Sequence, residues 1–449
     1  MAEDAASGGS FLLKAGFGKR PISPAVGAPL AGFAARKGNC QGVHDELLAR
    51  ALVIESGSTA VALVSLDVIA VASDFVEKVR RTIASRLPIA LAAILISSTH
   101  THAGPVTVST FFNPDESLDA SYMSRFEDAI VRAVEDAWQS RFAARIGIGS
   151  GTVEGLGVNR RTIDRKPVDR EAGIVKVEDE FGKVKAILVN YGCHPTVLGP
   201  DNLLASGDFP AAAIERLEAQ LGPGSFAMYV NGAQGDISVG HSSELSAIGV
   251  VTPNRTFERA TELGHNLGNV VLEALPTIAT KRSVPLRFET LTAGLPIKPY
   301  PDPSQTAREL RQAEERADML AANGNSTERM RAQSELLYAS ITHYYARETR
   351  KYTDGVLPIE LQAIQIDDSV FVAVPAEVFV EIGMRIKSAS PLRTFVAGVT
   401  NGYIGYLPSR KAYETGGYEV VSAKCDDSGE DRLFEGVMRL EQRLAEQHA

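Results

Sequence analysis

The chain has 449 residues, 44% of them apolar, and a formal net charge of -9, enough for one large α/β unit and without a basic stripe for nucleic acid or an anionic membrane. Its three cysteines, Cys40, Cys193 and Cys425, form no C-x-x-C pair, so neither a disulfide framework nor a thiolate zinc site is expected. No apolar run approaches the roughly 20 residues of a membrane-spanning helix, and the opening "MAEDAASGGSFLLKAG" lacks the basic and apolar regions of a signal peptide; the expectation is a cytoplasmic protein.

Along the chain, helical stretches alternate with short β-rich runs, the pattern of an α/β fold with a large mixed sheet flanked by helices. No repeat or linker divides it, so a single domain over 1–449 is expected. Residues 74–86 place Phe75, Val76, Val79 and Ile83 at helical spacing. Five apolar runs then break into polar residues: "AAILISSTHTH", "KAILVNYGCHP", "FAMYVNGAQGDIS", "VFVAVPAE" and "TFVAGVTNGYIGY". Ligands in open α/β sheets gather beyond the carboxyl ends of strands, so these tips are expected to bring His100, His102, His194, Ser238, Glu377 and Tyr406 to one sheet edge. Between the third and fourth runs, residues 304–352 are rich in Ala, Arg, Glu and Leu and are interrupted by "NGNS", which predicts an inserted helical hairpin. It is either a helix pair packed on the domain or a lid or oligomer contact.

His100 and His102 follow a buried run directly. Period-two spacing turns both rings to one side if the strand continues, so the pair reads either as two ligands for one metal or as a polar exit from the sheet. Zinc in a hydrolase takes nitrogen or carboxylate ligands and leaves a position for water, a set that His100, His194 and Glu377 could supply. His194 precedes Pro195, which favours an extended backbone; it is a ligand or a turn histidine. Glu377 follows Pro375 and is expected to open an amphipathic helix, as a ligand or as a favourable first-turn carboxylate. "NGAQGDISVG" sets Ser238 in a glycine-rich turn, as a nucleophile or a hydrogen-bonding group, without a G-x-S-x-G elbow. The tyrosines of "NGYIGYLPSRKAYETGGYEV", Tyr406 and Tyr418 among them, could ligate a metal, donate to an oxyanion or pack an aromatic loop.

These stretches, in order with "AGFGKRPISP", "GAPLAGFA", "QGVHDELLARALVI", "GVNRR" and "GYLPSRKAYETGGYE", resemble the neutral/alkaline non-lysosomal ceramidases, zinc amidases that cleave N-acylsphingosine. The resemblance implies zinc ligands at His100, His194, Glu377 and Tyr406, with His102 handling the proton or orienting the water. It further implies Arg160 near the site, Ser238 at the substrate's polar head, Tyr418 polarising the amide oxygen and the Gly32 backbone donating to that oxygen. The sequence also departs from the family pattern: no carboxyl-terminal immunoglobulin-like domain is expected in this chain, Ser238 is followed by "VGH" where the family favours Pro-Asn, and "GDFPAAA" around Asp208 matches poorly.

The function expected is zinc-dependent hydrolysis of a linear amide, on a ceramide-like lipid or a smaller N-acyl amine. The alternatives are a serine-type hydrolase using Ser238 and a metal-stabilised binding protein without catalysis. Oligomeric state is left open.

Overall fold

The computed structural model describes residues 13–111 and 118–446. In chain order, β1 (Lys14–Pro21), β2 (Leu48–Ser56), β3 (Thr59–Leu66), α1 (Ser73–Arg86) and β4 (Ile94–Ser98) lead into α2 (Ala120–Gln139), β5 (Phe142–Thr152), β6 (Glu171–Asp179) and β7 (Val184–Tyr191). There follow α3 (Asp208–Leu221), β8 (Phe226–Asn231) and α4 (Phe257–Ala274). Their strands form an eight-stranded mixed sheet in the order β8-β7-β6-β5-β1-β2-β3-β4. Only its outermost pairs, β8 with β7 and β4 with β3, are parallel.

β2 and β3 are buried along nearly their whole length, as their largely apolar runs, interrupted only by Arg50 and Ser65 in their interiors, require of strands covered on both faces. Helix α2, capped by Asp119 on the Ser121 and Tyr122 amides, lies on β1. Gly16 and Gly18 permit this close approach, since a Cβ there would stand 2.1 Å from Ala137 O and 2.3 Å from Ala133 O. β1 and β5 share only two residue pairs. The sheet curls so that its two ends meet: Arg50 on β2 donates from Nη1 to Ala227 O on β8 at 3.0 Å, and Asn231 at the end of β8 donates to Thr99 O beyond β4 at 3.0 Å.

A second sheet, in the order β9-β10-β11-β12, comprises β9 (Leu286–Pro296), β10 (Val356–Ile366), β11 (Ser369–Ala373) and β12 (Arg393–Ala397). Between β9 and β10 stand α5 (Pro303–Asn323) and α6 (Ser326–Glu348), the expected hairpin, and α7 (Val380–Ala389) lies between β11 and β12. The closing helix α8 (Gly429–Glu446) packs on β9. One apolar core joins the sheets, with Ile96, Val175, Ile364, Phe371 and Phe395 in the same buried cluster.

All five apolar runs are strands, β4, β7, β8, β11 and β12, and each ends within a few residues of the polar tip. The expectation of one sheet edge is corrected: three of these strands belong to the curled sheet and two to the second sheet. The ends meet because the sheets abut, with Ser97 bridged to Thr400 and Asn190 Nδ2 donating to Val396 O at 2.9 Å.

Candidate active site and metal centre

β4 stops at Ser98, and the chain is then carried by Thr99 N donating to Leu66 O and His100 N to Val68 O. His100 adopts φ 69°, a left-handed conformation uncommon for a residue with a Cβ. This turn, and not a continuing strand, brings the His100 and His102 rings together, their centroids 5.0 Å apart at 83°. His194 follows β7, with its amide donating to Ile237 O. Glu377 does not open a helix: Glu377–Val378 forms a short parallel ladder with Tyr406–Leu407, and α7 begins at Val380. That ladder sets Glu377 opposite Tyr406.

Each of the three imidazoles is anchored through Nδ1 to backbone carbonyls: His100 to Ile69 O at 2.7 Å, His102 to Gly32 O at 2.9 Å, and His194 to Gln234 O at 2.7 Å and Ile237 O at 3.1 Å. A carbonyl only accepts, so the proton sits on Nδ1 and the Nε2 lone pair is turned inward. The Nε2 atoms of His100 and His102 are buried without a hydrogen-bond partner. Glu377 Oε2 lies 2.8 Å from His194 Nε2 and 3.4 Å from His100 Nε2, and its Oε1 accepts from the Tyr403 hydroxyl at 2.6 Å. One ring nitrogen from each histidine falls within 4.8 Å of the others.

This donor set fits a divalent metal. Converging imidazole lone pairs, two of them orphaned in a buried site beside a carboxylate, are costly without a cation to accept them. Burial, reinforced by the Arg160 charge, pushes His194 down to about 4. Burial and the neighbouring imidazoles hold His102 well below its ordinary value. Burial alone would raise Glu377, but the His100 and His194 rings hold its carboxyl well below the usual carboxylate range. Neutral imidazoles and an ionised carboxylate are the ligand forms.

Around this group, Arg160 donates to Tyr406 Oη at 3.1 Å, to Gly235 O at 2.8 Å and to Glu419 Oε1 at 2.8 Å. Glu419, two per cent exposed, also accepts from Ser243 at 2.6 Å and Arg161 at 2.6 Å, which fixes the start of the short helix carrying Tyr418. Burial, and then the Glu377 charge, raises the Tyr418 phenol, leaving it protonated at neutral pH. The Tyr406 and Tyr418 rings meet edge to face at 5.9 Å. Gly32, at φ 110°, lies so close to His102 that a Cβ would stand 2.5 Å from the histidine's own.

The structure therefore brings together His100, His102, His194, Glu377, Tyr406, Tyr418, Arg160 and Gly32. Ser238 follows Ile237, whose carbonyl contacts His194 Nδ1 at 3.1 Å, but its own hydroxyl makes no hydrogen bond to these imidazoles among the described residues. Ser238 is buried, donates to His241 O at 3.0 Å and accepts from Gly240 N at 3.3 Å, so its hydroxyl is held within its own turn. A serine nucleophile needs an imidazole within hydrogen-bond reach of the hydroxyl, and neither these partners nor the two cavities beside the metal group give Ser238 that role.

Two cavities open onto the group and share His102, Tyr406 and Tyr418: one continues past Phe111, Tyr345 and Lys424, the other past Gly32, Arg160 and His241. Four residues that shape the site have no role assigned from the sequence. Tyr403 was passed over three residues before Tyr406, in the same quoted loop. Asp208, at φ 58°, accepts from the Leu198 and Phe209 amides at 3.0 and 2.7 Å and steadies the backbone after His194. Tyr344 and Tyr345 carry the hairpin into the cavity wall, and nothing in their sequence signals that placement.

The family model for the N-terminal region of the neutral/alkaline non-lysosomal ceramidases matches residues 13–256, more than half of the chain. The chain belongs to this ceramidase family. The match includes Gly32, His100, His102, Arg160 and His194, while Glu377, Tyr403, Tyr406 and Tyr418 lie beyond it. Among curated proteins, neutral ceramidase B of Dictyostelium discoideum is 22% identical over 420 residues, covering 74% of this chain and 57% of the relative. Neutral ceramidase A of the same organism is 23% identical over 411 residues, with 73% and 57% covered. The chain thus spans a little over half the length of these curated relatives. The crystal structure of neutral ceramidase from Pseudomonas aeruginosa superposes with a TM-score of 0.74 at 19% identity, covering 97% of this chain and 75% of that one. A ceramidase complexed with C2 gives 0.73 at 19% identity, with 97% and 76% covered. This member of the ceramidase family shares their fold. Among its described residues, no helix is long and apolar enough to cross a membrane.

Proposed function

We propose that the chain hydrolyses the linear amide of an N-acyl substrate at a zinc centre held by His100, His194, Glu377 and Tyr406. The observation that carries this reading is the inward turn of three Nδ1-anchored imidazoles beside Glu377, together with membership of a ceramidase family. Bound there, zinc supplies Lewis acidity toward a carbonyl and makes a nearby water easier to deprotonate.

The chain's own groups account for the proton movements. His102, kept neutral by burial, offers Nε2 to accept a proton from the attacking water and returns it to the leaving amine. Its Nδ1–H bond to Gly32 O holds the required tautomer. Tyr418, protonated at neutral pH, donates to the oxygen on which charge gathers as the carbonyl becomes tetrahedral. Arg160 fixes the Tyr406 hydroxyl and, through Glu419, the base of Tyr418. The products are one carboxylic acid and one amine.

The reading is tested by incubating the purified chain with ceramide and a panel of shorter N-acyl amines. Hydrolysis that is lost on chelation and restored by zinc is expected. Zinc-loaded protein inert toward every amide, or turnover indifferent to chelation, would overturn it.

A further inference from the structure

The cavity beyond Tyr345 contains a cation that the hydrolytic steps do not use. Lys424 lines the same cavity as His100, Glu377 and Tyr418. Its backbone is held rigidly: Lys298 N donates to Lys424 O at 2.9 Å, and the residues on either side bridge to Tyr406 and Ile297. Its ammonium stands 5.4 Å over the Tyr345 ring, and no hydrogen bond or ion pair to another described residue satisfies it. Lys351 is the neighbouring positive charge, and the nearby carboxylate, Glu348, pairs with Lys351 and not with Lys424. Two residues earlier in the chain, the buried Ser422 hydroxyl lines the same cavity and adjoins the Tyr418 phenol. A partly desolvated ammonium without an ion-pair partner in that cavity is costly unless a ligand satisfies it, and Ser422 offers a hydroxyl in the same cavity.

We infer that Lys424 and Ser422 form an anion subsite, and that the substrate is an N-acyl compound carrying a carboxylate in place of the neutral head of ceramide. The inference rests on the amide-hydrolase reading and narrows its substrate. Lys424 supplies the charge and Ser422 a directed hydrogen bond, which together orient the scissile amide toward the metal group. Tyr345 and Phe111 supply the apolar wall beside them.

The test compares three amides on zinc-loaded protein: N-lauroylglycine, with the carboxylate on the amine side; N-dodecylsuccinamic acid, with it on the acyl side; and neutral N-lauroylethanolamine. The subsite predicts a kcat/KM at least about tenfold higher for one of the two acids than for the neutral amide, and the better acid tells which half of the substrate faces Lys424. In Lys424→Met that ratio should fall about tenfold, mainly through KM, while Lys424→Arg retains most of it. A wild-type preference for the ethanolamide, or a ratio unmoved in Lys424→Met of unchanged melting temperature, would overturn the subsite while leaving amide hydrolysis intact. If no amide is cleaved, the hydrolase reading fails separately, and calorimetric binding of the two acids decides the subsite: tighter binding than the ethanolamide that weakens about tenfold in Lys424→Met supports it, and equal binding refutes it.

Discussion

Tyr403 shows how much of the centre depends on a residue that ligates nothing. Its hydroxyl donates to Glu377 Oε1 while Oε2 meets two imidazoles, so it fixes the carboxylate's rotation. Partners of this kind typically govern metal affinity by about 10- to 100-fold. Tyr403→Phe keeps the ring and is expected to weaken zinc retention by about that factor in a competitive chelator titration; unchanged retention would mean that the histidines alone position Glu377. The convergence of His100, His194 and Glu377 was legible because polar residues that follow apolar strands mark ligand sites in α/β folds. Tyr403 was not, because a phenol in a tyrosine-rich loop has the same sequence signature whether it packs, ligates or orients a ligand. Ser238 is ambiguous in sequence for a related reason: a glycine-rich turn that brings backbone close to a ligand looks the same as one in which the serine closes its own turn.

The helical hairpin was legible at the scale of elements and illegible in its purpose. Its turn carries a capping box, in which Asn325 accepts from the Glu328 amide and the Glu328 side chain accepts from the Asn325 amide, a local signal that ends one helix and starts the next. Which face it turns inward depends on partners outside the hairpin, tens of residues away in the chain. In α6, Leu337, Ile341 and Tyr345 join the apolar cluster that also contains Leu357, Tyr406 and Tyr418. The element is therefore part of the core beneath the candidate site, and Tyr344 and Tyr345 form one wall of its cavity. Ile341→Ala, at a side chain with no exposure, should lower stability by about 2–5 kcal/mol, read as the denaturant midpoint, and raise KM as the adjoining Tyr344 and Tyr345 shift. A loss of stability with substrate kinetics untouched would separate the hairpin from the cavity.

Across the whole molecule, the chain sets the edges of two sheets against each other and accepts buried charge where they meet. Sequence patterns revealed the strands and the α/β class. They could not reveal that the eight-stranded sheet curls or that β11 and β12 belong to a second sheet, because side-chain alternation and apolar runs encode burial, not which strands pair.

The curled sheet leaves Asp67 buried, and burial pushes its carboxyl up to about 6, against the opposing pull of Arg50 and the Leu48 amide. The folded state therefore holds a proton that the unfolded chain has released. This group's contribution to stability is complete below about pH 4 and is lost as the pH rises through about 6. Asp67→Asn should unfold at a higher temperature than the parent near pH 7, by the equivalent of up to about 3 kcal/mol, and with no advantage near pH 4. Melting curves across that range check the sign, and a variant destabilised equally at both pH values would contradict it.

The metal content of the purified chain bears most directly on the central claim. Elemental analysis by mass spectrometry, on protein dialysed against a weak chelator, should find one zinc per chain in the parent and almost none in folded His194→Ala and Glu377→Gln. A parent that retains no metal after zinc reconstitution, or variants that retain as much as the parent, would contradict the account.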